Sequence, residues 1–71
     1  MPKLQLTDYD LEHGYMLLLR ADAGDTLDAL GLVMHTDVAS IQRYLKHFQQ
    51  RPAKRQALLK AARERHPGDF A

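Results

Sequence analysis

The side chains able to do chemistry are few, and their spacing does not suit catalysis. His13, His35, His47 and His66 share no metal-ligand spacing, and no cysteine joins them. Asp22, Asp25 and Asp28 fall three residues apart around Gly24, without the alternate-residue ligands and closing glutamate of a calcium loop. Turn and cap duties suit them better. Ser40 is the single serine and has no neighbouring His–Asp arrangement for nucleophilic work. The expectation is a chain with no enzymatic activity, no metal and no cofactor. What remains is recognition by hydrogen bonds. Over residues 38–50, Val38, Ile41, Tyr44, Leu45 and Phe48 recur at three- and four-residue steps, the signature of one buried helix face. That pattern predicts Ser40, Gln42, Arg43, Lys46, His47 and Gln50 on the opposite face. A helix fits the major groove of DNA, where arginine can grip guanine and glutamine adenine through paired bonds. Gln42 and Arg43 are therefore the foremost base-reading candidates, with Ser40, Lys46 and His47 beside them. Lys46 also suits a phosphate, as do Arg51, Lys54 and Arg55, contacts that set affinity but not sequence. Lys60, Arg63 and Arg65 are further phosphate candidates.

Charge distribution favours an anionic partner. The net charge is only +1, but residues 1–41 hold seven carboxylates against two cations, and residues 42–71 hold eight cations against two carboxylates. The plain alternative is that the two halves neutralise each other within the fold or across a dimer. Tyr9, Tyr15 and Tyr44 read as core or interface residues, since their spacing is unlike that of an RNA-stacking sheet.

These side chains need helices to position them. At 71 residues, 45% hydrophobic and 27% charged, the chain suits one globular domain. So short a chain has a small core, of roughly 3–5 kcal/mol, and gains from a partner subunit. Residues 1–6 read as an N-terminal arm, extended over residues 3–6 and without the apolar core of a secretion signal. Thr7 is placed as a helix cap with Asp10 three residues on, flanked by the staple pair Leu6 and Leu11. A first helix over residues 8–21 follows, with Leu11, Tyr15, Leu18 and Leu19 as its core stripe and Gly14 as a weak spot. Asp25 or Thr26 caps a second helix ending near Met34, and Asp37 caps a third over residues 38–50. Pro52 suits the first turn of a basic fourth helix reaching His66, with Leu58, Ala61, Ala62 and Ala57 inward. Pro67 and Gly68 stop it, and Phe70 is either a loose tail or a plug that folds back. The expected fold class is all-α, a compact bundle of about four short helices.

The segment spanning residues 27–45, LDALGLVMHTDVASIQRYL, resembles the helix-turn-helix of small bacterial and phage DNA-binding regulators. The resemblance covers about a quarter of the chain and places the motif within residues 26–50. It implies that Leu30 is buried, that Gly31 lets the two helices cross closely, and that Met34 is apolar before the turn. It also implies that Ile41 and Tyr44 are the buried positions of a recognition helix. The chain departs from the pattern in having His35 where the turn opens with a left-handed glycine, Thr36 where an apolar residue follows, and Val38 early in the recognition helix.

Together these readings predict a cytoplasmic, sequence-specific DNA-binding transcription regulator, acting as a homodimer on a two-fold symmetric site in double-stranded DNA. The first helix, whose Tyr15, Met16, Leu17 and Leu19 cannot all point one way, is the expected dimer surface, with the last helix second. No apolar run is long enough to span a membrane. The alternative is a small helical adaptor or inhibitor with a protein partner, such as a host regulatory protein. An RNA-binding helical domain is a third reading, with no motif behind it.

Overall fold

Helix initiation in this chain is a matter of local hydrogen bonds. In the computed structural model, which describes residues 5–70, Thr7 and Asp10 cap the first helix reciprocally. The Asp10 amide donates to Thr7 Oγ1 at 3.1 Å and the Thr7 amide donates to the Asp10 carboxylate at 3.0 Å. This is a capping box with aspartate in the place of glutamate. The chain then passes through a π-helical turn, Asp10–Gly14, into α1 (Tyr15–Asp22). Gly24, with φ at +98°, turns the chain out of α1. Thr26 settles the choice of cap for α2 (Leu27–Met34) by accepting the Ala29 amide at 3.2 Å. Asp37 accepts the Ser40 amide to start α3 (Val38–Gln49), and Pro52 opens α4 (Pro52–Arg65). A 3-10 turn, Pro67–Phe70, ends the described chain. No strand occurs among the described residues, and the fold is an all-α bundle of four principal helices. Most of the arm expected over residues 1–6 lies outside the described residues. No described helix is long and apolar enough to cross a membrane.

Two clusters make the core, and α1 lies between them. Tyr15 and Leu18 join Phe48, Leu58 and Ala62 on one side. Leu17 joins Leu30 and Ile41 on the other. Met16 and Leu19 pack against the first cluster. The apolar surplus that pointed to α1 as a dimer surface is therefore consumed inside the chain. A helix gripped by two neighbours can bury residues all round, and one-stripe reasoning does not anticipate that. Among the described residues, the large apolar side chains that remain exposed are Tyr9, Leu32 and Val33, with Leu32 at 78% exposure.

Phe70 is a plug. It stacks on Tyr15 with ring centres 6.0 Å apart, while His66 stacks on the same ring at 4.8 Å. The Tyr15 hydroxyl donates to Asp69 at 2.5 Å. Burial first, and that bond second, push the Tyr15 phenol up to about 12.

Asp10 is the one buried charged side chain in the described core. Besides the Thr7 amide, it accepts the Tyr44 hydroxyl of α3 at 2.6 Å. Burial works to raise its pKa, but the bonds from Tyr44 and Thr7 outweigh burial and hold the carboxyl below its ordinary 3.8. Gly14, the expected weak spot, proves necessary. A Cβ there would sit 1.8 Å from the Tyr44 hydroxyl oxygen and 2.5 Å from the ring.

Removing the hydroxyl in Tyr44→Phe leaves a buried carboxylate short of a donor, which should cost about 1–3 kcal/mol in urea unfolding at neutral pH. A carboxylate with a depressed folded pKa stabilises fully above its unfolded value and loses that contribution as pH falls through the folded one. The gap between wild type and Tyr44→Phe should accordingly narrow below pH 3.8. Gly14→Ala should destabilise by about 1–3 kcal/mol through overpacking, and less in the Tyr44→Phe background.

Candidate nucleic-acid interface

α2 and α3 approach closely across a three-residue connection. His35 adopts the left-handed conformation, φ 54° and ψ 45°, at the residue after α2. A histidine tolerates that region at some cost. In return the His35 and Thr36 amides both reach the Gly31 carbonyl, satisfying the helix end. A Cβ on Gly31 would lie 3.0 Å from the Thr36 carbonyl oxygen, so only a small residue fits at that approach. Leu30 and Ile41 are fully buried beside it, with Met34 packed against them. Tyr44 is half-buried and touches both core clusters.

With Ile41 and Phe48 buried, α3 turns Gln42, Arg43 and Lys46 to solvent. Neither Arg43 nor Lys46 forms an ion pair among the described residues. Arg43 instead donates from Nη2 to Ser40 Oγ at 3.2 Å, and the half-buried Ser40 donates its own proton to Asp37 Oδ1 at 2.6 Å. These contacts hold the Asp37 carboxyl below its ordinary pKa, the Ser40 hydroxyl bond first, with the Arg43 charge a smaller contribution.

His47 does not join that exposed group. The Lys54 ammonium donates to its Nε2 at 3.0 Å, and its ring meets Phe48 edge-on at 5.1 Å. Partial burial, then the Arg51 and Lys54 charges, hold the imidazole below its ordinary 6.5. The sequence pattern put His47 opposite the apolar stripe; the arrival of α4 against α3 covers it. Lys54 itself lies 5.4 Å over the Phe48 ring. Arg51 donates to the His47 carbonyl at 3.1 Å, closing the end of α3.

Further along α4, the basic residues turn to the acidic first half of the chain. Arg55 pairs with Asp22, Arg65 pairs with Glu12, and His66 lies 3.4 Å from Glu12. Lys60 is exposed, and Arg63 sits 5.5 Å over the Phe70 ring. Neutralisation between the two halves thus absorbs part of the charge split, leaving Arg43 and Lys46 on α3 and Lys60 and Arg63 on α4 exposed without an ion pair among the described residues. Sequence reasoning gave Asp37 only a capping role and did not find its link through Ser40 to Arg43. The three-residue spacing of 37, 40 and 43 was the signal that could have found it.

In comparisons with known proteins, no family model, curated protein or solved structure matches this chain.

Lys54→Gln removes the positive charge beside the His47 ring. The His47 pKa, followed by NMR titration, should rise toward 6.5. The remaining depression then reports burial and Arg51. An unchanged titration curve would show that Lys54 does not engage the ring in solution.

Proposed function

We propose that this chain is a sequence-specific DNA-binding regulator that presents α3 to the major groove, without catalysis. The observation that carries the reading is the outer side of α3, where Gln42, Arg43 and Lys46 project together while Ile41 and Phe48 hold the opposite side in the core. The tight α2–α3 connection supports it, since closely crossed helices let one lie in the groove while the other braces it against the backbone. Arg43 and Gln42 are the base readers. Lys46, Arg51 and the rim of α4 contribute phosphate contacts. A homodimer on a two-fold symmetric site, its two α3 helices one turn of DNA apart, would double those contacts. The regulatory effect would be occlusion or recruitment at a promoter.

A second reading, an adaptor that binds another protein, draws on exposed Leu32 and Val33 of α2. Apolar side chains exposed on a small domain are the usual start of a protein contact. The two readings call on different helices and separate experimentally.

Fluorescence polarisation with random duplex at low salt should show binding that weakens steeply as salt rises. Selection from a duplex library should enrich a palindrome. Arg43→Ala should cost about 1–3 kcal/mol on the enriched site and relax preference there. Lys46→Ala should weaken all sequences alike and lower the salt slope by about 1. Absence of duplex binding, together with loss of a stoichiometric protein partner in Leu32→Asp, would favour the adaptor.

A further inference from the structure

The N-cap and first two turns of α3 hold a chain of three polar side chains whose direction is fixed by its members. Asp37 accepts twice from Ser40, once from the amide at 3.2 Å and once from the hydroxyl at 2.6 Å. A serine hydroxyl has a single proton. With that proton committed to the carboxylate, Ser40 Oγ faces Arg43 only as an acceptor, and the Arg43 guanidinium donates to it at 3.2 Å. Arginine carries five N–H donors, so one bond to Ser40 leaves a forked pair of donors unspent. A long side chain tethered at one nitrogen has already lost much of the rotamer freedom that a base contact would otherwise remove.

Resting on the DNA-binding reading above, we propose that Asp37 and Ser40 are positioning residues that orient Arg43 for one base edge. In this arrangement Ser40 does not donate to a base, because its proton is engaged by Asp37, while one of its two lone pairs accepts from Arg43. The Asp37 carboxylate, one side chain removed from Arg43, also repels nearby phosphates. It thereby weakens the sequence-independent part of binding while leaving the base contact intact. The pair sets selectivity more than affinity.

The test measures affinities of the wild-type chain, Ser40→Ala, Ser40→Thr, Asp37→Asn, Arg43→Ala and the Ser40→Ala/Arg43→Ala double variant. Each is titrated against the library-selected duplex and against random duplex. Ser40→Ala keeps the Asp37 cap on the Ser40 amide but removes the relay, and its ratio of selected to random affinity should fall roughly threefold to tenfold. Ser40→Thr restores a hydroxyl and should recover the ratio. Asp37→Asn keeps a capping oxygen and should raise random-duplex affinity while lowering the ratio. In the double variant the loss should match Arg43→Ala alone, because Ser40 acts only through Arg43. An unchanged ratio in Ser40→Ala, or losses that multiply in the double variant, would overturn the positioning role while leaving DNA binding standing. Wild type that binds no duplex selectively would overturn the DNA reading itself, and this assignment with it.

Discussion

The hydrogen bond from Tyr44 to Asp10 is the constraint on which the rest of the arrangement depends. A buried carboxylate is tolerated only when its lone pairs are met, and here the Thr7 amide and the Tyr44 hydroxyl meet them. The same bond fixes the rotation of α3 about its own axis. With Tyr44 tied to the first helix, Ile41 and Phe48 fall inward three and four residues to either side, and Gln42, Arg43 and Lys46 fall outward. The π-helical turn and Gly14 belong to this device. A side chain on residue 14 would occupy the space of the Tyr44 ring, so the first helix can approach α3 only with glycine there. A pair 34 residues apart in sequence thus ties α3 to the first helix on the same side as the buried Ile41 and Phe48.

The last helix completes the bundle by a different means. α4 buries little more than Leu58 and Ala62, and its contribution to the core is correspondingly narrow. Its alignment along the first helix is instead marked by ion pairs at both ends, Arg55 with Asp22 and Arg65 with Glu12. Exposed pairs of this kind contribute roughly 0–1 kcal/mol each, so they define register more than stability. Stability at that end comes from the aromatic stack of His66, Tyr15 and Phe70 and from the Tyr15–Asp69 bond. The acidic and basic halves of the sequence are in part a folding code, one half drawing the other into place.

What the sequence made legible was local. Thr7 with Asp10, Thr26, Asp37 and Pro52 each act within three or four residues of their own position, and the expected helices begin where those residues stand. Leu30 and Ile41 were likewise readable, because a helical stripe reports burial without needing to know what covers it. Long-range features escaped. Nothing around residues 15–19 announces that Leu17 and Leu18 enter separate clusters, since that depends on two neighbours arriving from either side. His47 read as exposed until Lys54 came down beside it, and neutralisation between the two halves was legible only as an alternative, without the pairing of Arg55 with Asp22 and Arg65 with Glu12. In the candidate site, the side chains of α3 were legible and the removal of its neighbours from the pool of contacts was not.

That removal bears on how such a surface would have to work. Each phosphate neutralised on duplex DNA steepens the salt dependence by about 0.9. A single α3 offering Arg43 and Lys46, with Arg51 at its end, therefore has a small sequence-independent attraction to draw on. Arg55 and Arg65, paired with carboxylates, would add to it only by giving up those partners. Under the proposed reading, a large share of discrimination falls on Gln42 and Arg43, and affinity sufficient for occupancy comes from engaging two half-sites at once. The apolar residues of α1, expected to join two copies, pack against the two core clusters. Among the described residues, the exposed apolar side chains are instead Tyr9 and, on α2, Leu32 and Val33. Under that reading, a chain with few unspent cations draws little on sequence-independent attraction, and its hold on random duplex falls away as salt rises.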